Sequence, residues 1–159
     1  MTTVERSVEI PGDADAAWAV LADFGDLARW TRPVQHCWLV SDQTEGIGAT
    51  RRVQVARMAM IEEIVTWDPE RALGYTITGL PPIVRRATNT WTLTPAGAGT
   101  RVTLTSDIDT GSRPPLSLVS RAIAKRLAVA SELMVADLAT EVARRAEAAS
   151  PESVAEAGA

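Results

Sequence analysis

The chain's one histidine and one cysteine, His36 and Cys37, are neighbours. A nucleophile and its base must share a side, and neighbours on a strand point to opposite faces, so these two do not form a pair. His36 alone could act as a general acid or base, the alternative being a rim or surface histidine. With one residue of each type, two-histidine metal motifs, cysteine-based zinc sites and internal disulfides are excluded. The sequence has no GxSxG, HExxH or phosphate-binding loop. Gly46-Ile47-Gly48 runs on into Ala49-Thr50-Arg51 and reads as a turn rather than the start of GxGxxG.

Polar residues set among apolar strand positions are the other source of chemistry. Arg51 shares a face with Val53 and Val55 by the two-residue period. Glu62 shares one with Ile64, Met58 and Met60, whereas Ile61, Val65 and Trp67 have the parity of Glu63. Periodicity therefore leaves open which glutamate faces inward. If Arg51 and Glu62 both do, on paired strands, they can form a buried ion pair, since a lone buried charge costs several kcal/mol. The alternative is a solvent-facing pair contributing about 0–1 kcal/mol. Asn89 lies in a row with Ala87, Trp91 and Leu93, and Tyr75 with Leu73 and Ile77. Each is a candidate ligand contact or a satisfied core polar group.

Composition narrows the class. At 159 residues the chain fits one domain, long enough to bury a core without metal or disulfide. Sixteen Lys and Arg stand against twenty Asp and Glu, a net charge of −4, which argues against nucleic acid as partner. No cationic stretch precedes an apolar core at the N-terminus, and no run approaches a membrane span, so a cytoplasmic protein is expected. No cofactor is called for.

Those residues sit on a simple series of elements. Residues 3–10 alternate as a strand, stopped by Pro11-Gly12, with Asp13 placed to cap a short helix carrying Trp18 and Leu21. Gly25 ends it, and residues 26–30 form a second short helical turn. Strands are expected at 34–41, 49–56, 58–67, 72–78, 85–94 and 100–109. From about residue 116 to 145, apolar residues recur every three or four positions, through Val119, Ile123, Leu127, Ala130, Met134, Leu138 and Val142, as one long amphipathic helix. Residues 149–159 read as a disordered tail, leaving 1–148 as a single domain. The fold class is α+β: a coiled antiparallel sheet of about seven strands with a long helix burying its apolar face in the concavity.

This order resembles the helix-grip fold of the SRPBCC superfamily, which includes START-like lipid carriers, birch-pollen-allergen-like proteins and bacterial polyketide cyclase/dehydrase-like proteins. The resemblance rests on AWAVLADFGDLARWTRPVQHC, EGIGATRRVQV, EEIVTWDPERALGY and the Trp91 strand followed by GAGTRVTL. The first three are also similar to stretches of plant abscisic-acid receptors. Two departures stand out. Where those receptors hold the ligand carboxylate with a Lys, this chain has Thr31. Their Gly-Leu-Pro gate falls at Ala56-Arg57, and the Gly79-Leu80-Pro81 of this chain comes one hairpin later.

The resemblance implies an internal cavity for an apolar small molecule and favours Glu62 inward. Arg51, Glu62 and Asn89 would then orient a mostly apolar ligand. Val53, Val55, Ile64, Tyr75 and Ile77 would line the sheet wall, and Ile123, Leu127 and Met134 the helix wall. Trp30 and Trp91 are the tryptophans best placed to touch ligand. The expected function is binding of a lipid-, polyketide- or hormone-like molecule as carrier or sensor, by a monomer or homodimer. The alternative is a polyketide cyclase, aromatase or dehydratase using the same cavity, with Glu62, Tyr75 or His36 moving protons.

Overall fold

The computed structural model describes residues 1–111 and 116–150. The elements run β1 (Thr2–Pro11), α1 (Ala14–Ala22), a 3-10 turn (Phe24–Asp26), α2 (Leu27–Trp30), β2 (His36–Leu39), β3 (Thr50–Val55), β4 (Met58–Asp68), β5 (Ala72–Thr78), β6 (Arg86–Ala96), β7 (Gly99–Asp109) and α3 (Leu116–Ala148). The strands form one antiparallel sheet in the order β1-β7-β6-β5-β4-β3-β2. Six strands follow one another as a meander, and β1 closes onto β7 along its whole length, Thr2 opposite Ile108 and Pro11 opposite Gly99. Among the described residues this is the expected α+β helix-grip architecture. Residues 151–159 of the expected tail lie outside the described residues.

One irregularity resolves the ambiguous parity of β4. The strand pairs regularly with β5 up to Ile64, opposite Tyr75, then slips by one residue so that Thr66 faces Gly74 and Trp67 faces Leu73. A bulge of this kind reverses the alternation. Glu62 and Ile64 are therefore buried, Val65 is exposed, and Trp67 returns to the interior to meet Trp18 edge-on at 5.0 Å. Glu63 faces outward beside Thr50 and Thr76.

The short helices differ in detail from expectation. Ala17, Val20 and Leu21 form the buried stripe of α1, with Trp18 at its margin. Asp13 occupies the cap position without a side-chain bond, and Asp15 instead accepts from the Ala16 N–H at 2.8 Å. Gly25 lies within the 3-10 turn, where β2 crosses closely: a β-carbon there would stand 3.0 Å from Leu39 Cγ. Helix α3 packs chiefly on β1, then on α1, β7 and α2. Its second half is well buried through Met134, Val135, Leu138 and Val142, whereas Ile123 and Leu127 in its first half are half-buried.

Candidate functional site

The register puts Arg51 directly opposite Glu62. Both side chains are almost fully enclosed, and Arg51 Nε and a terminal nitrogen reach Glu62 Oε2 at 2.7 and 2.6 Å. The other terminal nitrogen donates to the Phe24 carbonyl at 2.9 Å. The guanidinium lies over the Phe24 ring, 3.7 Å from its centroid, with the Tyr75 ring at 4.8 Å. Weakly hydrated and planar, a guanidinium sits against aromatic faces at a lower desolvation cost than an ammonium. Paired this way it is charge-neutralised, so the site offers polarity without a net charge.

A second buried polar unit adjoins it. Tyr75 on β5 stands opposite Asn89 on β6, and Asn89 Nδ2 donates to the Tyr75 hydroxyl at 3.2 Å. Burial, with the Glu62 carboxylate adding to it, pushes the Tyr75 phenol up to about 12. The hydroxyl therefore keeps its proton while accepting from Asn89. Cys37 lies half-buried on the inward side of β2, its Sγ 3.9 Å from the Phe24 carbonyl, and burial raises its thiol.

These groups border a small cavity. It is lined by Arg51, Tyr75, Phe24, Trp30, Leu73 and Trp91 with Val20, Leu21, Asp23 and Leu27, and measures about 10 Å³, room for about one water. The roomy chamber expected under α3 is thus largely filled at this depth. Phe24, Tyr75 and Leu73 occupy it from the wall, and Trp30 meets Trp91 edge-on at 6.3 Å. Trp30 itself is 8% exposed, and its Nε1 is buried with no hydrogen-bond partner among the described residues. A buried unpaired donor costs about 1–3 kcal/mol.

Toward the β3–β4 hairpin the inner wall loosens. Val55, Met60 and Ile77 face inward yet are only half-buried, and Ile123 and Leu127 in the first half of α3 are half-buried too. The reason is that α3 leans on β1 and β7, leaving the β3–β5 side of the concavity less covered. Of the residues expected from sequence, Arg51, Val53, Glu62, Ile64, Tyr75, Asn89, Trp91 and Trp30 are buried on this inner wall. Met134 is buried on α3 as well.

His36 is exposed, on the opposite side of β2 from Cys37, the surface position the sequence offered beside an acid–base role, and it does not face the buried groups. Sequence reasoning missed Phe24, whose carbonyl and ring both hold Arg51; a backbone carbonyl in a turn leaves no compositional signal. Asp137 was missed too. It is buried on α3 and accepts from the Arg32 backbone N–H at 2.8 Å, Arg32 Nε at 2.7 Å and the Thr31 hydroxyl at 3.4 Å. Thr31, where the receptors carry a lysine, is thereby committed to a clamp between α3 and the end of α2.

Solved structures share this architecture. The Zhui aromatase/cyclase from Streptomyces sp. R1128 is 24% identical, with a TM-score of 0.71 over 91% of this chain and 95% of that one. A solution structure from Thermobifida fusca is 22% identical, with a TM-score of 0.75 over 91% and 95%. A START superfamily protein from Mycobacterium smegmatis is 15% identical, with a TM-score of 0.68 over 89% and 97%. At these identities the likeness is one of fold. Comparison with curated proteins gives no match. Residues 1–147 match the family described as polyketide cyclase / dehydrase and lipid transport, and the chain belongs to that family.

Proposed function

We propose that this protein binds a neutral, mostly apolar small molecule between the β3–β5 side of its sheet and the first half of α3, as a carrier or sensor. The observation that carries this reading is the unpartnered Trp30 Nε1 at the cavity beside Arg51 and Tyr75. A buried N–H without an acceptor is satisfied once a bound molecule presents one, a carbonyl or ether oxygen being the simplest. The Arg51–Glu62 pair is internally neutral, so it favours an uncharged polar group over a carboxylate. The half-buried Val55, Met60, Ile77, Ile123 and Leu127 supply apolar contact nearer the surface. Entry of anything larger than water requires the space behind Trp30, walled by α1, the 3-10 turn, α2 and strands β3, β5 and β6, to widen.

The family description and the Zhui aromatase/cyclase keep a cyclase reading as the alternative. Its difficulty is proton transfer. The Tyr75 phenol is held up to about 12, and the Glu62 carboxylate is engaged by two guanidinium nitrogens. The phenol is therefore a poor proton shuttle near neutrality, and the carboxylate is already occupied by its ion pair. A monomer or homodimer in the cytoplasm, with no nucleic acid as partner, completes the proposed reading.

Native mass spectrometry of freshly purified protein tests it by seeking a co-purified molecule. Displacement of an environment-sensitive hydrophobic dye by aromatic ketones, against the matching hydrocarbons, tests the acceptor preference. Trp30→Phe should abolish the preference for ketone over hydrocarbon. An unliganded protein that takes up no dye at high micromolar concentration would falsify the carrier reading.

A further inference from the structure

One end of the molecule concentrates unpaired positive charge. The β3–β4 hairpin carries Arg57, the β5–β6 connection ends in Arg85 and Arg86, and the first turns of α3 carry Arg121, Lys125 and Arg126. Strand register brings them together. Val55 pairs with Met58 at the hairpin, and a β-carbon on Gly79 would lie 2.9 Å from the Ala59 carbonyl, so the β5–β6 connection starts beside that hairpin. Arg86 pairs with Asp109 at the end of β7, and the Thr110 and Ser120 hydroxyls, 2.6 Å apart, tie the start of α3 to the same place.

All six cations are exposed, and none forms an ion pair among the described residues. Elsewhere arginines do pair, Arg101 with Glu9, Arg32 with Asp137, and Arg144 and Arg145 with Glu141. The acids at the basic end are engaged, Asp107 accepting from Thr3 and Asp109 from the Gly111 N–H. The opposite end presents Asp13, Asp15, Asp42, Glu45, Asp68 and Glu70. The net charge of −4 thus conceals a separation of sign along the sheet.

Exposed apolar side chains stand among these cations. Leu118 is 72% exposed, Val119 40% and Met58 39%, and Pro81 and Pro82 project from the β5–β6 connection. Apolar tips ringed by basic residues match an anionic bilayer surface, where cations meet headgroups while apolar groups enter the acyl boundary. A nucleic-acid backbone would leave those tips unused.

We infer that the end formed by the β3–β4 hairpin, the β5–β6 connection and the first turns of α3 docks on an anionic lipid surface. The same end carries the half-buried Val55, Met60 and Ile77 of the inner wall, so docking sets that side of the sheet toward the bilayer. The surface argument itself does not depend on any ligand in the interior.

Co-sedimentation of the full chain with vesicles tests this. Vesicles of phosphatidylcholine with about 30% phosphatidylglycerol should retain the protein at low salt and release it as salt rises from about 0.05 to about 0.5 M. Phosphatidylcholine alone should retain little. At about fivefold per basic residue, R121Q/K125Q/R126Q should bind on the order of 100-fold more weakly. Leu118→Ser with Val119→Ser should weaken binding about tenfold. Arg71→Gln, at the opposite end, should change nothing, and circular dichroism confirms that each variant is folded. No retention by anionic vesicles overturns the inference. So does equal retention by neutral ones, or retention by polyglutamate or duplex DNA with none by vesicles.

Discussion

Arg51 on β3 and Glu62 on β4 face each other across the ladder and are joined by two contacts of 2.7 Å or less, with hardly any of either side chain reaching solvent. The Phe24 carbonyl takes a third hydrogen bond from the same guanidinium. The pair thus fastens the turn before α2 to the inner face of the sheet, as well as placing a polar group beside the cavity.

Breaking that pair from one side should be far worse than removing it. Arg51→Met strands the Glu62 carboxylate in a low-dielectric interior, at a cost of about 3–5 kcal/mol. The double variant Arg51→Met with Glu62→Leu should recover much of that loss. Urea denaturation of the two singles and the double measures the coupling. Singles that each cost under about 0.5 kcal/mol, the range of ordinary surface changes, would sink the buried pair.

Tyr75 is the chain's one tyrosine, so phenolate absorbance reports it alone. Its phenol ionises at about 12 in the fold, against 10.0 ordinarily, because burial opposes the charged form. The folded pKa is raised, so the unfolded chain loses this proton first. The stabilisation is complete below pH 10 and disappears between 10 and about 12. In the folded protein phenolate should appear only toward pH 12, not near pH 10. Reversible ionisation near pH 10 with the far-ultraviolet spectrum intact would contradict the burial.

Near the end of α3, Glu141 accepts from Arg144 at 2.9 and 2.7 Å and from Arg145 at 3.0 Å. The Arg144 hydrogen bonds, with help from Arg145, lower its carboxyl from 4.5 to about 2. A depressed carboxylate stabilises above the unfolded value and loses that contribution as pH falls from about 4.5 to about 2. Glu141→Gln should therefore be less stable than the parent at pH 7 and show a shallower decline across that window. An unchanged acid limb would remove Glu141 from the account.

Ala56 occupies the β3–β4 hairpin at φ 52°, a left-handed conformation that costs a non-glycine residue about 1–2 kcal/mol. Ala56→Gly relieves that cost, and the greater freedom of glycine in the unfolded chain takes back part of the gain. A net gain of up to about 1 kcal/mol is expected, read as a higher melting temperature. A loss on substitution would mean that the Ala56 methyl group makes a packing contact worth more than the relief.

The sequence by itself determined the element order, the α+β class and the inward rows of β3, β5 and β6. A period of two or of 3.6 is a local property, visible wherever one face is apolar. It placed Arg51, Tyr75, Asn89 and Trp91 correctly relative to their neighbours in the chain. It could not choose between Glu62 and Glu63, because the bulge after Ile64 reverses the parity of β4 and an inserted residue has no composition of its own. Nor could it find what depends on distant partners. Phe24's carbonyl under Arg51 spans 27 positions, and Asp137 on Thr31 and Arg32 spans more than 100. The cavity was the largest departure, since its volume is a small remainder after Phe24, Tyr75, Trp30 and Trp91 have packed together. The basic end was hidden for a related reason: net charge is a sum over the chain, and only the meander decides which arginines stand together.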